Sequence, residues 1–201
     1  MSRIKRKSQT DIMDFKTNKS AEHVRSFWSN NKVDFFSWDL GPIKESLPDF
    51  KVARVTPKST DEPWVYISCG ISEIEYDNQN SMEFLILSPY ETPIHVETLA
   101  MLAHLHSDPR YYVQLGNSID IGREWIKKSN MQHFLLSLPY PYGPQLEVCD
   151  LGKGKIIQFL WLLPITSEEV DFLNQNGLEA LERKFDENEI DAIKIKRKSV
   201  V

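Results

Sequence analysis

Few side chains in this sequence are spaced for chemistry. His104-Leu105-His106 sets two imidazoles two residues apart, which on a strand would aim both at one metal ion. The surrounding pattern is helical, and on a helix residues two apart diverge by about 200°. Neither His95 nor a nearby cysteine completes a ligand set, so no metal site is expected and these histidines read as surface or interface groups. Cys149 and His133 would have to act as nucleophile and base. Cys149, however, closes an apolar strand segment, where a thiol is ordinarily buried and inert. Gly152-Lys153-Gly154 lacks the Ser/Thr and the helix entry of a phosphate loop and reads as a β-turn. No G-x-S-x-G, H-E-x-x-H, Walker-type or dinucleotide fingerprint occurs. The sequence therefore points away from an enzyme and implies no metal or organic cofactor.

The elements that must position these residues alternate between helical and strand periodicity. A first helix is expected over about Ala21 to Ser29, with Val24, Phe27 and Trp28 forming its core face. Residues 38 to 63 carry Gly41-Pro42, Pro48, Pro57 and Pro63 and read as loops around one strand near Lys51 to Val55. Trp64 to Cys69 and Met82 to Leu87 have strand composition, and Asp77-Asn78-Gln79-Asn80 between them reads as a turn, giving an antiparallel hairpin. Thr92 stands as an N-cap before Pro93 at the first helical position. Leu99, Leu102, Ala103 and His106 then share one stripe, up to a stop at Asp108-Pro109. Further strands are expected at His133 to Leu138, Gln145 to Cys149 and Ile156 to Leu163, the last apolar on both faces and so central in its sheet. Thr166-Ser167-Glu168-Glu169 is a capping box, which accounts for the adjacent carboxylates. The helix it starts is interrupted at Asn176-Gly177, after which Leu178, Leu181 and Phe185 continue an amphipathic pattern. With no internal repeat or interdomain linker, the expected fold class is α+β: one domain, a mixed and mostly antiparallel sheet with flanking helices.

Charge is distributed unevenly. Residues 1–19 hold six bases against Asp11 and Asp14 and read as a basic, flexible tail preceding a domain at 20–201, while Lys194, Lys196, Arg197 and Lys198 cluster near the end. Residues 20–191 carry 14 bases and 27 acids, a balance of −13. A body of that sign repels phosphate backbones and attracts basic partners, which argues against nucleic-acid binding by the folded part. Between Glu168 and Asp191 alone stand nine acids, namely Glu168, Glu169, Asp171, Glu179, Glu182, Asp186, Glu187, Glu189 and Asp191, against Arg183 and Lys184. The apolar stripe should face the core and leave these carboxylates outward. The longest apolar run, Phe159 to Leu163, ends at Pro164 and is too short to span a bilayer. The basic start has no apolar segment behind it, so a cytoplasmic protein without membrane attachment is expected. Cys69 and Cys149 form no C-x-x-C pair, which suits a reducing compartment.

Several segments, taken in order, resemble the suppressor of fused domain. They are Met82-Glu83-Phe84-Leu85-Ile86-Leu87, Leu99-Ala100-Met101-Leu102-Ala103, Leu115-Gly116-Asn117-Ser118-Ile119-Asp120-Ile121-Gly122 and Gln132-His133-Phe134-Leu135-Leu136. The ending is similar too, from Phe159 to Ile165 through Thr166-Ser167-Glu168-Glu169-Val170 to Asn176-Gly177-Leu178-Glu179-Ala180-Leu181. Order and spacing agree from about residue 33 onward. The resemblance implies an α+β fold and a binding rather than catalytic role. Animal members hold a transcription-factor peptide, and small bacterial members resemble immunity proteins against polymorphic toxins, often nucleases. The sequence matches only the first lobe of the animal proteins, and Asn117-Ser118 stands where they have Asp-His. An immunity protein that binds a toxin domain with a basic surface is therefore expected, the alternative being a signalling adaptor that takes a partner peptide by strand addition. Expected contacts are Glu168, Glu169, Asp171, Glu179 and Glu182 with the loop aromatics Trp38, Tyr140 and Tyr142. Gly116, Asn117, Asp120 and Gly122 mark the family turn, whose glycines permit positive φ while Ile119 and Ile121 pack inward.

Overall fold

The computed structural model describes residues 9–38, 41–76, 81–111 and 113–201, with the side chains of the first helix from Phe15 onward. In chain order the elements are α1 (Gln9–Phe27), β1 (Val33–Ser37), α2 (Ile43–Ser46), β2 (Lys51–Val55), β3 (Trp64–Cys69), β4 (Ser81–Ser88) and α3 (Ile94–His106). There follow β5 (Ser118–Asp120), β6 (His133–Ser137), α4 (Pro144–Glu147), β7 (Val148–Gly152), β8 (Lys155–Ile165), α5 (Ser167–Asn176) and α6 (Leu178–Glu187). The strands form one eight-stranded sheet in the order β1-β2-β3-β4-β8-β6-β5, with β7 also pairing to β8. Only β4 and β8 run parallel, in the register Phe84 to Leu160; every other pair is antiparallel.

The eleven residues of β8 organise the core. Its side chains alternate between faces, as the pleat requires. Ile157, Phe159, Trp161, Leu163 and Ile165 join Val24 of α1, Leu173 of α5 and Leu181 and Phe185 of α6. Leu160 and Leu162 point the other way, into a second cluster with Leu99, Leu102 and Ala103 of α3. Two covered faces explain why the sequence of this strand is apolar throughout. Glu83 of β4 is fully buried, and its carboxylate is satisfied by the hydroxyls of Ser20, Ser68 and Ser72 and the N–H groups of Gly70, Ile71 and Ser72, at 2.5–3.3 Å. The cage fastens α1 and the β3 end to β4, and it meets the requirement that a buried charge be fully bonded.

The α+β class, the antiparallel β3–β4 pair, the central β8, the capping box and the helix break at Gly177 match the sequence-based reading. The turn expected at Asp77 to Asn80 lies outside the described residues. Other elements differ. The first helix, expected from about Ala21, already includes the residues from Gln9. Lys16 bonds to Glu75 and Ser81 at 2.5 and 2.9 Å, and the Thr17 N–H donates to Glu73 at 2.8 Å. These polar tethers leave no apolar periodicity to read. Residues 145–147, expected as strand, form a helical turn started by Pro144 after Gly143, and the strand begins only at Val148. Helix α3 is entered through Pro93 rather than capped by Thr92, whose hydroxyl accepts from the Ile94 N–H at 3.4 Å. Strand β1, with adjacent Phe35 and Phe36 and no fully buried residue, shows no clean alternation, and the three-residue β5, where a turn was expected, is too short to show one.

Candidate partner-binding cleft

Helix α6 lays Leu181 and Phe185 on the sheet and presents Glu182 and Asp186 along the next side. The chain after β6 turns over at Tyr140 and Pro141 and meets that side. Between them opens a cleft of about 620 Å³, floored by Trp161 and Leu163 of β8 and Ser137 of β6 and closed by Glu189, Ile190 and Ala192. Glu182 Oε1 accepts from the Ser137 hydroxyl at 3.0 Å and the Tyr140 hydroxyl at 3.2 Å. Partial burial raises the Tyr140 phenol pKa, and the Glu182 charge raises it further. Tyr140 is nevertheless 60% exposed, so its ring can meet a partner.

Of the expected contact residues, Tyr140 and Glu182 are thus brought together. Glu179 is exposed one turn earlier on α6, and Glu168 and Asp171 are exposed on α5. Glu169 requires a correction. It is fully buried, closes the capping box on the Thr166 N–H at 2.9 Å and pairs with Arg197, so it cannot touch a partner. Its inward position follows from the box itself, which turns the third helical residue back over the cap. Tyr142 is half-buried against Phe27 and Trp28, at ring distances of 5.9 and 5.3 Å, and burial pushes its hydroxyl pKa well up. It lines a separate hollow with Glu62. Trp38 packs on the opposite face of the sheet, beside Met101 and His104 of α3.

The family turn is scaffold. Gly116 has φ +84° and lies against Leu178, its N–H donating to the Leu136 carbonyl at 2.8 Å. Asn117 Oδ1 accepts from the Gln114 N–H, and Asp120 Oδ1 from the Gly122 N–H. Ile119 and Ile121 are buried as expected. The segment thus packs against Leu178 at the start of α6.

The remaining chemical candidates are separated or sealed. Cys149 sits opposite Ile157 and His133 opposite Ile165, eight residues apart along β8 and so roughly 26 Å at strand rise. Burial raises the Cys149 thiol pKa. Among the described residues no group of three or more His, Cys, Asp or Glu is arranged to hold a metal ion. His104 is exposed as expected, but His106 is buried, which corrects the expectation of a surface or interface group there, and His95 is buried as well. Burial lowers their pKa values to about 4 and about 3. Residues the sequence did not single out for the cleft are Ser137 and Trp161. Both lie within core strands, and nothing in their spacing marks them.

Among the described residues no helix is long and apolar enough to cross a membrane. The suppressor of fused protein family model matches residues 47–198. No curated protein matches the chain. Among solved structures, a Neisseria gonorrhoeae protein described as a suppressor of fused homologue is 46% identical, covers 92% of this chain and 97% of its own, and superposes with a TM-score of 0.84. The Sufu–Fu complex shares the fold at 14% identity and a TM-score of 0.63, over 92% of each chain. Drosophila Suppressor of Fused does so at 13% and 0.64, over 89% of this chain and half of its own. With the sheet order, the two covered faces and these matches in agreement, the chain belongs to the suppressor of fused family.

Proposed function

We propose that this chain is a cytoplasmic immunity protein that binds a cognate polymorphic toxin and blocks it by occupation, without catalysis of its own. The observation that carries the reading is the cleft beside α6. Glu182, Asp186 and Glu189 line it, and none has an ion-pair partner among the described residues. Exposed Glu168, Asp171 and Glu179 extend the same charge around α5 and α6. A nuclease toxin must present a basic surface to phosphates, and such a surface is complementary to this one. A protein partner also fits a family fold found in a Sufu–Fu complex.

The test expresses the toxin domain encoded beside this chain in a host cell, with and without the chain. Survival only with the chain is expected, together with a stable complex of standard size, burying roughly 1,200 to 2,000 Å². Equal killing in both, with the chain folded, overturns the reading. A regulatory adaptor would then take precedence, because among the described residues β1 pairs with β2 alone, and its outer edge has no partner strand there.

A further inference from the structure

The cleft has chemistry more specific than acidity. Its walls are aromatic, with Trp161, Phe185 and Tyr140 lining it beside the carboxylates. Glu182 and Asp186 are four residues apart on α6 and so share one side, and Glu189, two residues past the helix end with φ +46°, lines the same cleft. Glu182 Oε1 receives both hydroxyls, which fixes the carboxylate and leaves Oε2 with no donor among the described residues. Asp186 and Glu189 lie at the C-terminal end of α6, where the helix dipole is already negative and acids are disfavoured in an isolated helix. Of the nearby cations, Lys184 bonds to Glu187 at 2.8 Å and Arg197 is paired with Glu169, while Arg183 is exposed on α6 and makes no ion pair with these acids among the described residues. Trp161 is 6% exposed, and its buried Nε1–H has no acceptor among the described residues.

We propose that this cleft is a socket for one arginine side chain presented by the partner, its guanidinium held by Glu182 and Asp186 and stacked on the aromatic wall. The proposal rests on the reading of this face as a partner surface. A guanidinium fits better than an ammonium because it is planar, weakly hydrated and able to bond a carboxylate through two nitrogens while stacking on a ring. The molecule uses this combination three times already, once where Arg110 lies over Tyr111 at 5.6 Å while bonding Asp108. Arg197 lies over the Phe185 ring at 5.3 Å while bonding Glu169, and Arg54 lies over Phe36 and Trp64 at 4.8 and 5.4 Å while bonding Asp34 and Glu91. A cavity of about 620 Å³ accommodates the side chain with its flanking backbone.

The experiment titrates the full chain with a blocked pentapeptide carrying one arginine between glycines. Matched peptides carry citrulline, which keeps the shape without the charge, or lysine. The readout is the Trp161 indole N–H resonance, assigned by its loss in Trp161→Phe. A saturable shift with the arginine peptide is expected, with a dissociation constant of about 1 mM and binding at least about tenfold weaker for citrulline and lysine. Glu182→Gln combined with Asp186→Asn should weaken the arginine peptide by about the same factor. No saturable shift up to about 10 mM, or equal binding by the citrulline or lysine peptide, overturns the socket. The peptide comparison uses the unaltered protein, so it decides even where a variant misfolds. A shift in a chain that fails to protect cells retains the socket and removes the immunity reading; protection without a shift does the reverse.

Discussion

His95 sits edge-on to Tyr66 at 5.1 Å and stacked on Trp125 at 5.6 Å, with neither ring nitrogen hydrogen-bonded among the described residues. Burial, with a smaller contribution from Arg123, lowers its pKa to about 3. In the unfolded chain the same imidazole titrates near about 6.5. Below that pH the unfolded state takes up a proton that the folded state refuses, so stability falls as pH drops from about 6.5 towards about 3. The slope is up to about 1.4 kcal/mol per pH unit, and His106, lowered to about 4 by burial, adds in the same window. The urea midpoint should therefore be lower at about pH 5 than at about pH 7.5, and His95→Phe should flatten that difference. A folded variant with the same pH slope would contradict the assignment. The sequence carried half of this information. The stripe through Leu99, Leu102 and Ala103 placed His106 on the inner face of α3, while its residue type argued for the surface, and periodicity won. His95 precedes that stripe, and no spacing signalled its burial.

At the start of α5, two devices act on the same end of the helix. The Thr166 hydroxyl accepts from the Glu169 N–H at 3.4 Å, and Glu169 is joined from the far end of the chain by Arg197 and by the Val200 N–H at 3.2 Å. Arg197 is itself 6% exposed, so this is a buried ion pair. Thr166→Ala removes a cap and should cost about 1 kcal/mol. Arg197→Ala leaves a carboxylate buried without its cation and should cost about 3 to 5 kcal/mol. Urea denaturation of the two variants gives the order, and equal losses would show that the buried ion pair contributes no more than the cap. The box was legible because its four residues are contiguous. Its partner was not, because a pairing between residues 169 and 197 leaves no periodicity, and the basic cluster at Lys194 to Lys198 resembles a solvated end. The same division holds for the sheet. The strands β2, β3, β4, β6 and β8 were visible from their apolar runs, whereas β1 is only partly buried at the sheet edge and β5 has three residues. In the cleft, Glu182 and Tyr140 stood out as a charge on a helix face and a ring in a proline-rich loop. Ser137 and Trp161 were hidden as ordinary strand residues.

Across the whole molecule the sheet separates two chemistries. Helix α3 and its cluster close one face, and the other carries α5 and α6 with their outward acids and the cleft. The balance of −13 over residues 20–191 sets a field that acts before contact, while the cleft acts only after docking. These two contributions separate kinetically. Charges at the rim govern the association rate and its salt dependence, whereas a desolvated pair governs dissociation. Screening shortens from about 10 Å at 0.1 M salt to about 3 Å at 1 M. The association rate with a basic toxin domain should therefore fall at least tenfold over roughly that range, with dissociation changing much less. Neutralising the exposed acids together, Glu168→Gln, Asp171→Asn and Glu179→Gln, should slow association severalfold at low salt and leave the dissociation rate unchanged. Glu182→Gln should do the opposite. Stopped-flow mixing at graded salt concentrations measures both, and an association rate flat with salt would exclude steering by this face.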